Sequence, residues 1–573
     1  MKKYLVTSAL PYANGPIHLG HLAGAYLPAD IYTRHLKLLG EKVIHISGSD
    51  EHGVAIMLNA KKEGKNYKSY VDYWHSEHKK VFDKFNVNFD FFGQTSESYH
   101  AEEVIKWFDE LYKKELIEPN DNQQLHCKAC DNHLPDRFVE GTCYKCGYTQ
   151  ARGDECPNCG IWIDPVKLIE PVCKICGSND IEEITVTQWY LKLSKCHEKY
   201  RAWFESKKNT WRKTVYPFVD SLTRESLHDR AITRDLDWGI DVPLPEAAGK
   251  KLYVWFDAPI GYVSNTKQYL EKIGSDEDYL KDWWKNDDTE IIHFLAKDNI
   301  IFHAVIFPVM GMESGRINPP TDIPANQYLN LEGKQFSKST GWYIDIDSAF
   351  EQFGADAIRY YLISILPEQS DSSFTWRDFA AKINGELANN IGNLINRCLK
   401  FAYKNWETGL DAKYLTGFSE TEIGKKFKTA ILEHKSIVDG KEFKKGIEQI
   451  MSMGQMANTF FSDLAPWAQF KADPNEAEKT IALTSIQIMT LGVLLSPYVP
   501  GLSKKILSYF DIALTDTHRK KIYSGELEVF DELFANGMKI TEAPKALVPK
   551  IDEKIISKLE EDLRGKAEEL DNV

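Results

Sequence analysis

Eight of the ten cysteines fall between Cys127 and Cys176, as four Cys-x-x-Cys pairs: Cys127/Cys130, Cys143/Cys146, Cys156/Cys159 and Cys173/Cys176. No other feature constrains the fold of a stretch so tightly. Glycine follows the second cysteine in the last three pairs, at the turn where backbone amides approach sulfur. The N-terminal MKKYLVTSALPYANG has Pro11, Tyr12 and Asn14 inside its short apolar run, which does not read as a cleavable leader. A reducing cytoplasm is therefore expected, where paired cysteines hold metal rather than form disulfides. Zinc takes four tetrahedral thiolates, and a closed shell of four leaves no place for water or substrate. Eight thiolates give two structural Zn2+ sites. The spacing leaves the pairing open. The inner pairs, nine residues apart, suggest one site of Cys143, Cys146, Cys156 and Cys159. Cys127, Cys130, Cys173 and Cys176 then close around it, and Cys196 and Cys398 read as buried core.

The cysteine-rich stretch interrupts a different texture. Residues 3–10 read as a buried strand, 20–38 as a helix and Val43–Ser47 as the next strand, a βαβ pattern. Residues 66–117 read as helical with aromatic interruptions; Tyr253–Phe256 and Ile291–Leu295 resume the buried-strand pattern. Beyond about 375 the periodicity is helical, with segments at 379–405, 421–439, 441–470, 476–495 and 501–511. Residues 480–503 carry no charge. Ser496-Pro497 breaks that run, so a buried bundle helix is expected rather than a membrane span. The fold class is multidomain α/β: a Rossmann-like parallel-sheet domain split by a zinc-binding insertion and followed by an α-helical bundle. The expected division is 1–117 and 231–325 for the two halves of that domain, 118–230 for the insertion, and 326–375 for a signature-loop region. Residues 376–540 form the helical domain, and 541–573 a linker and short helix. The formal charge is -14, from 70 Lys and Arg against 84 Asp and Glu. Diffuse attraction to nucleic acid, DNA included, or to a membrane surface is thereby excluded, and a polyanionic partner must be met at local patches.

Two segments carry nucleotide chemistry. Pro11–His21 follows the first strand and places His18 and His21 on one side of a starting helix, with Gly20 between them. Gly333-Lys334-Gln335-Phe336-Ser337-Lys338-Ser339-Thr340-Gly341 is a short loop able to neutralise charge on pyrophosphate. Neither GxGxxG nor GxxxxGK[ST] occurs.

On these segments the sequence resembles the methionyl-tRNA synthetases of class I over residues 3–540. The class signatures His-Ile-Gly-His and Lys-Met-Ser-Lys-Ser stand here as His18-Leu19-Gly20-His21 and Gln335-Phe336-Ser337-Lys338-Ser339. Leu19 is a mild departure. Gln335 removes one lysine, with Lys334 beside it. Further support lies in Ala9-Leu-Pro-Tyr-Ala-Asn-Gly, Tyr253-Val-Trp-Phe-Asp-Ala-Pro-Ile-Gly-Tyr262 and Ala296-Lys-Asp-Asn-Ile-Ile-Phe-His303.

The resemblance implies ATP-dependent attachment of L-methionine to tRNA(Met), initiator and elongator, through methionyl-adenylate. ATP, accompanied by Mg2+, would meet His18, Gly20, His21, Asp298 and Lys338, with His18, His21 and Lys338 catalytic. Methionine would meet Ala9, Leu10, Tyr12, Asp50, Arg234, Trp255, Ala258, Pro259, Tyr262, Phe302 and His303. Among these, Asp50 would hold the ammonium with Arg234 as its partner, and the Leu10 amide and Tyr262 hydroxyl would face the sulfur. Asn389, Asn393, Arg397 and Trp467 would read the anticodon. A basic, aromatic stretch at 192–213 is expected to contact the acceptor end. Related enzymes for leucine, isoleucine, valine or cysteine, or a non-catalytic RNA-binding protein, are the alternatives. No large editing insertion is visible, which disfavours the branched-chain enzymes. No room for a further tRNA-binding domain follows residue 551, which leads to the expectation of a monomer.

Overall fold

The computed structural model describes residues 2–153, 156–159, 161, 163–336 and 341–571. Five parallel strands form the central sheet: β1 (Lys3–Ser8), β2 (Lys42–Ser49), β3 (Phe91–Gln94), β4 (Thr289–Ala296) and β5 (Ala325–Asn326). Their order is β5-β4-β1-β2-β3. Leu5, Val6, Ile44, Ile46, Ile291, Ile292 and Leu295 are all buried, the apolar composition expected of strands covered on both faces. The order reverses at β1, whose two neighbours are β4 and β2. Ligands of open parallel sheets bind beyond the carboxyl ends of strands at such a reversal. Ala9 and Leu10, Asp50, and Lys297 and Asp298 follow the ends of these three strands.

Local structure departs from the sequence reading in four places. The helix at 19–38 contains a π-helical stretch, Leu22–Tyr26. Residues 66–117 are two helices, Tyr67–Lys84 and Ser98–Lys113, separated by β3. Tyr253–Phe256 is not a strand: Val254–Asp257 is a helical turn running on into Ala258–Ile260. A short buried apolar run has no periodicity to separate the two states. Residues 441–470 are two helices, Phe443–Leu464 and Pro466–Ala472, because Ala465 turns the chain at φ 45°.

The insertion is carried on a long antiparallel pair, Ile117–Cys127 with Ile181–Leu191. The knuckles lie at its far end. Their small core, Cys127, Phe138, Val139, Cys143, Cys156 and Cys173, includes Val54 and Met57 of the helix Val54–Lys62. The insertion therefore packs on the helix that follows Asp50.

The helical domain surrounds Pro474–Leu495, whose residues are buried almost throughout. This helix is long and apolar enough to cross a membrane, yet 89% of its apolar window lies inside the protein. It stops at Leu495, before Ser496-Pro497. The last helix, Glu553–Asp571, folds back so that Glu560 pairs with Arg377 and the Ile551 amide and carbonyl bond Asn384.

Candidate functional site

His18 is the N-cap of the first helix. Its Nδ1 accepts the Gly20 amide at 3.1 Å, and the His18 amide donates to Nδ1 of His21 at 3.1 Å. A neutral imidazole that accepts at one nitrogen donates at the other, so this reciprocal cap makes Nε2 the donor of both neutral rings. The rings stack with centroids 3.7 Å apart. Gly20 is required by the histidine itself, since a Cβ there would lie 2.9 Å from the His18 ring. Phe336, from the second signature, stacks on His18 at 5.1 Å and 9°. The two signatures, over 300 residues apart in sequence, thus meet at the carboxyl end of β1. Lys338 lies outside the described residues.

Beside this lies a cavity of about 640 Å³ lined by Arg234, Tyr253, Trp255, Lys297, Asp298, Phe302 and Tyr328, and by Arg137 and Ile163 of the insertion. Trp255 packs on Phe302 with centroids 4.5 Å apart. Behind them, His303 Nδ1 donates to the Asn299 carbonyl at 3.0 Å, since a carbonyl only accepts. That leaves Nε2 to accept the Tyr262 hydroxyl at 2.8 Å. Burial lowers the His303 pKa to about 4, which keeps the ring neutral and the arrangement fixed. Burial pushes the Tyr262 hydroxyl pKa up, and the Leu10 amide offsets part of that rise. Ala9 is anchored through its amide to Phe294 and its carbonyl to Tyr26. Leu10 approaches Gly261, where a Cβ would lie 3.1 Å from its Cδ2, and Pro259 is buried beside Ala258 in the same turn.

Tyr12 pairs with Asp50 as an isolated parallel bridge, and its hydroxyl sits where a Cβ on Gly53 would be, 2.7 Å away. Burial first, then the charge of Asp257, push the Asp50 carboxyl well above the usual carboxylate range. Arg234 is not its partner among the described residues. The guanidinium lies over the Tyr253 ring at 4.0 Å and donates to the Ala231 and Thr233 carbonyls. It belongs to a short strand, Thr233–Arg234, on the insertion side of the cavity.

The cysteines form two groups: Cys127, Cys130, Cys173 and Cys176, and Cys143, Cys146, Cys156 and Cys159. Sulfurs lie 3.6, 3.8, 4.0 and 3.6 Å apart in the pairs Cys127–Cys176, Cys130–Cys173, Cys143–Cys159 and Cys146–Cys156. Four sulfurs at about 2.3 Å from one zinc stand about 3.8 Å from each other in a tetrahedron. The donor sets fit the metal. Gly147 and Gly177 both take φ 75°, and Asp131 takes φ 51°, the left-handed turn that closes these three knuckles; Gly160 lies outside the described residues.

On the helical domain, Asn389 and Asn393 are exposed. The Arg397 guanidinium lies 5.2 Å from the Trp467 ring and 5.0 Å from Phe461. Trp467 is 44% exposed. The turn at Ala465 and the helix start at Pro466 lift it onto the surface. The basic stretch 192–213 differs from expectation. Phe204 and Trp211 are core residues, and half-buried Arg212 donates to the Ala325 and Lys441 carbonyls and the Asn326 side chain. Aromatic residues amid lysines read as a stacking surface, but Phe204 is turned inward on the helix His197–Glu205, and Trp211, in the bend beyond it, is held inward by its Nε1 bond to the Thr321 carbonyl.

Two arrangements had no sequence signal of their own. His52 Nδ1 and Asp257 Oδ2 lie 2.5 Å apart, 205 residues apart in sequence. Phe336 reaches His18 only through the fold.

The family model "tRNA synthetases class I (M)" matches residues 4–399, and "Anticodon binding domain of methionyl tRNA ligase" matches 412–568. The chain is similar to a methionine–tRNA ligase of Rubrobacter xylanophilus, 36% identical over 575 residues, covering 98% of this chain and 97% of the relative. A methionine–tRNA ligase of Pyrococcus furiosus is 40% identical over 542 residues, covering 91% and 73%. In fold it is similar to the Mycobacterium tuberculosis methionyl-tRNA synthetase solved with methionyl-adenylate, at TM-score 0.76, 23% identity, and coverage of 96% of this chain and 100% of that one.

Proposed function

The chain belongs to the methionyl class I aminoacyl-tRNA synthetases, and from that premise we infer how its residues divide the work. It is a methionine–tRNA ligase. In the first step the methionine carboxylate attacks the α-phosphate of ATP, releasing pyrophosphate and forming methionyl-adenylate. The carboxylate is already ionised, so no general base is needed, and catalysis rests on positioning and charge stabilisation. His18 and His21 donate through Nε2 to ATP, Asp298 faces the adenosine, and Lys338 neutralises the departing pyrophosphate, with Mg2+ accompanying the nucleotide. The 2′-hydroxyl of the terminal tRNA ribose then attacks the acyl carbonyl, releasing AMP.

Leu10, Tyr12, Trp255, Ala258, Pro259, Tyr262, Phe302 and His303 enclose the thioether, whose polarizable sulfur sits well against ring edges. Asp50 takes the ammonium; Arg234, at the cavity wall, faces the substrate from the other side. Asn389, Asn393, Arg397 and Trp467 read the anticodon of initiator and elongator tRNA(Met). Trp467, held by Arg397 and Phe461, offers a ring for an unpaired base. The two cysteine groups would hold one structural Zn2+ each, bracing the insertion against the helix after Asp50. The enzyme works in the cytoplasm as a monomer.

The observation that carries this reading is the stacking of Phe336 on His18, which joins both signatures beside the aromatic cavity. ATP–pyrophosphate exchange across an amino acid panel tests it. Methionine alone should stimulate exchange. Stimulation by leucine, isoleucine, valine or cysteine instead would give the chain to a sister enzyme, and no exchange at all would make it a non-catalytic RNA binder.

A further inference from the structure

The turn after β2, Asp50 to Gly53, is pinned through its main chain from several segments. The Asp50 amide donates to the Pro11 carbonyl at 2.9 Å, and the Asp50 carbonyl accepts the Ala13 amide at 2.8 Å. The Glu51 amide donates to the Thr95 hydroxyl at 2.8 Å. The Glu51 carbonyl accepts the indole N–H of Trp238 at 2.6 Å, from a residue 187 positions along the chain. An indole only donates, so the direction of that bond is fixed. Trp238 is itself held: its ring meets His52 edge-to-face at 5.7 Å and 70°, and Tyr67 at 5.7 Å. It packs against both the knuckle core and the small core of Ala13, Ile56, Ala60, Tyr70 and Val71. Two residues before it, Leu236 is buried in the knuckle core, and the same segment begins at the cavity wall with Arg234.

The peptide unit that Trp238 grips also serves Asp50. A peptide is planar, with its carbonyl and N–H on opposite edges. The carbonyl of this unit is that of Glu51, and the N–H is that of His52. Burial, then the charge of Asp257, raise the Asp50 carboxyl, and a hydrogen bond from the His52 amide offsets part of that rise. One edge of the unit is therefore bonded to Trp238 and the other to the Asp50 carboxyl. Rotating the plane to free one edge moves both. Nothing else fixes the remaining oxygen: Oδ1 of Asp50 is buried without a hydrogen-bond partner among the described residues. Such an oxygen is costly until a donor reaches it, and a substrate ammonium carries three. A carboxylate left open on one side for a ligand needs its protein-side donor held still.

We propose that Trp238 is a positioning residue for the methionine ammonium: through the Glu51–His52 peptide it sets the direction in which the Asp50 carboxyl faces the substrate. The proposal rests on the reading that Asp50 receives the ammonium. It gives the segment that leaves the insertion a part in choosing α-amino acids over their desamino analogues, exerted through Asp50 rather than by contact with substrate.

The test measures equilibrium binding of L-methionine and of 4-(methylthio)butanoate, which lacks only the amino group, to the full zinc-loaded chain. The dissociation constant of the analogue divided by that of methionine isolates the ammonium. Trp238→Phe keeps a ring but removes the donor; β-(3-benzothienyl)alanine in place of Trp238 keeps the indole shape and removes the N–H alone. A hydrogen bond is worth about 3–10-fold. Either replacement should lower the ratio by about that factor, through methionine alone, with the analogue unweakened. In an Asp50→Asn background the same replacement should leave the ratio where Asp50→Asn puts it, because the two side chains act in one chain of bonds. Equal weakening of both ligands would make Trp238 merely structural and overturn the proposal. An equal fall with Asp50 already replaced would overturn it too. If Asp50→Asn lowers the ratio and neither Trp238 replacement does, the proposal fails and the Asp50 reading stands. If Asp50→Asn leaves the ratio unchanged, the Asp50 reading fails and the proposal with it. Should Trp238→Phe not fold, the benzothienyl variant decides by the same ratio.

Discussion

Arg359 joins the catalytic and helical parts of the molecule, and replacing it should separate their stabilities. It lies on the helix Ala355–Ser364 with its side chain fully buried. It donates to Asp30 at 2.8 Å and to the Phe85 carbonyl on the catalytic side, and to the Pro497 and Tyr498 carbonyls on the helical side. Arg359→Met keeps much of the volume but removes every donor. Breaking a buried ion pair on one side costs about 3–5 kcal/mol, and the deserted carbonyls contribute to that figure at about 1–3 kcal/mol each. A multidomain chain does not unfold in one step, so the quantity to follow is the first calorimetric transition. At about 2–4 °C per kcal/mol for a unit of 150–250 residues, it should fall by about 6–20 °C. Asp30→Asn alone strands the Arg359 charge and should cost a similar amount. The double variant should lose less than the sum of the singles, because removing both charges leaves neither unpaired. Asp30 is also bonded by the Asn88 amide and by Arg34, and Arg34 is partly exposed and can turn to solvent. A first transition within about 2 °C of the parent for Arg359→Met, or strictly additive losses, would refute the reasoning. Acid should act on the same pair. Burial pushes the Asp30 carboxyl up, but Arg34 and Arg359 outweigh it and hold it below its usual value. Its contribution is therefore present above the unfolded carboxylate pKa and lost as pH falls through the folded one. The acid-side decline of the first transition should be shallower in the double variant.

Three further outcomes are expected. Cys156→Ser should lower zinc content from two ions to one per chain, measured by metal analysis, while the Cys127 group keeps its ion; a full loss would mean the two sites fold as one. Gly20→Ala pushes a Cβ to 2.9 Å from the His18 ring. ATP–pyrophosphate exchange should then fall by about 100-fold, with methionine binding measured by calorimetry unchanged. Trp467→Ala removes a stacking ring worth about 1–3 kcal/mol. It should lower kcat/KM for tRNA by about 5–150-fold, while exchange without tRNA proceeds at the parent rate.

Much of the architecture is legible in the residues because it is local. The knuckles are set by Cys-x-x-Cys spacing, with glycine after three of the four, so two groups of four cysteines follow from the sequence, while their pairing, open in the spacing, is decided by the fold as the nested one. The parallel sheet follows from β-branched runs punctuated by Asn14-Gly15-Pro16 and Gly40. The buried helix at Pro474–Leu495 follows from an uncharged stretch ended by Ser496-Pro497. Where the reading failed, a short segment lacked a period, as at Tyr253–Phe256, or packing chose the face, as for Phe204 and Trp211 amid lysines.

Contacts between distant segments belong to another level. Short-range pattern determines which backbone an eight-residue window adopts, since propensity and spacing act within a few residues. It says nothing of which windows touch. The sequence by itself determined the four cysteine knuckles, the two signature segments and the family. Only the tertiary structure decided that Phe336 lies on His18, that Arg234 stacks on Tyr253 rather than pairing with Asp50, and that Asp257 comes to His52 beside Asp50. Such contacts arise when the sheet reverses at β1 and an inserted hairpin folds over its carboxyl edge, bringing together side chains that chain order keeps as much as 318 residues apart.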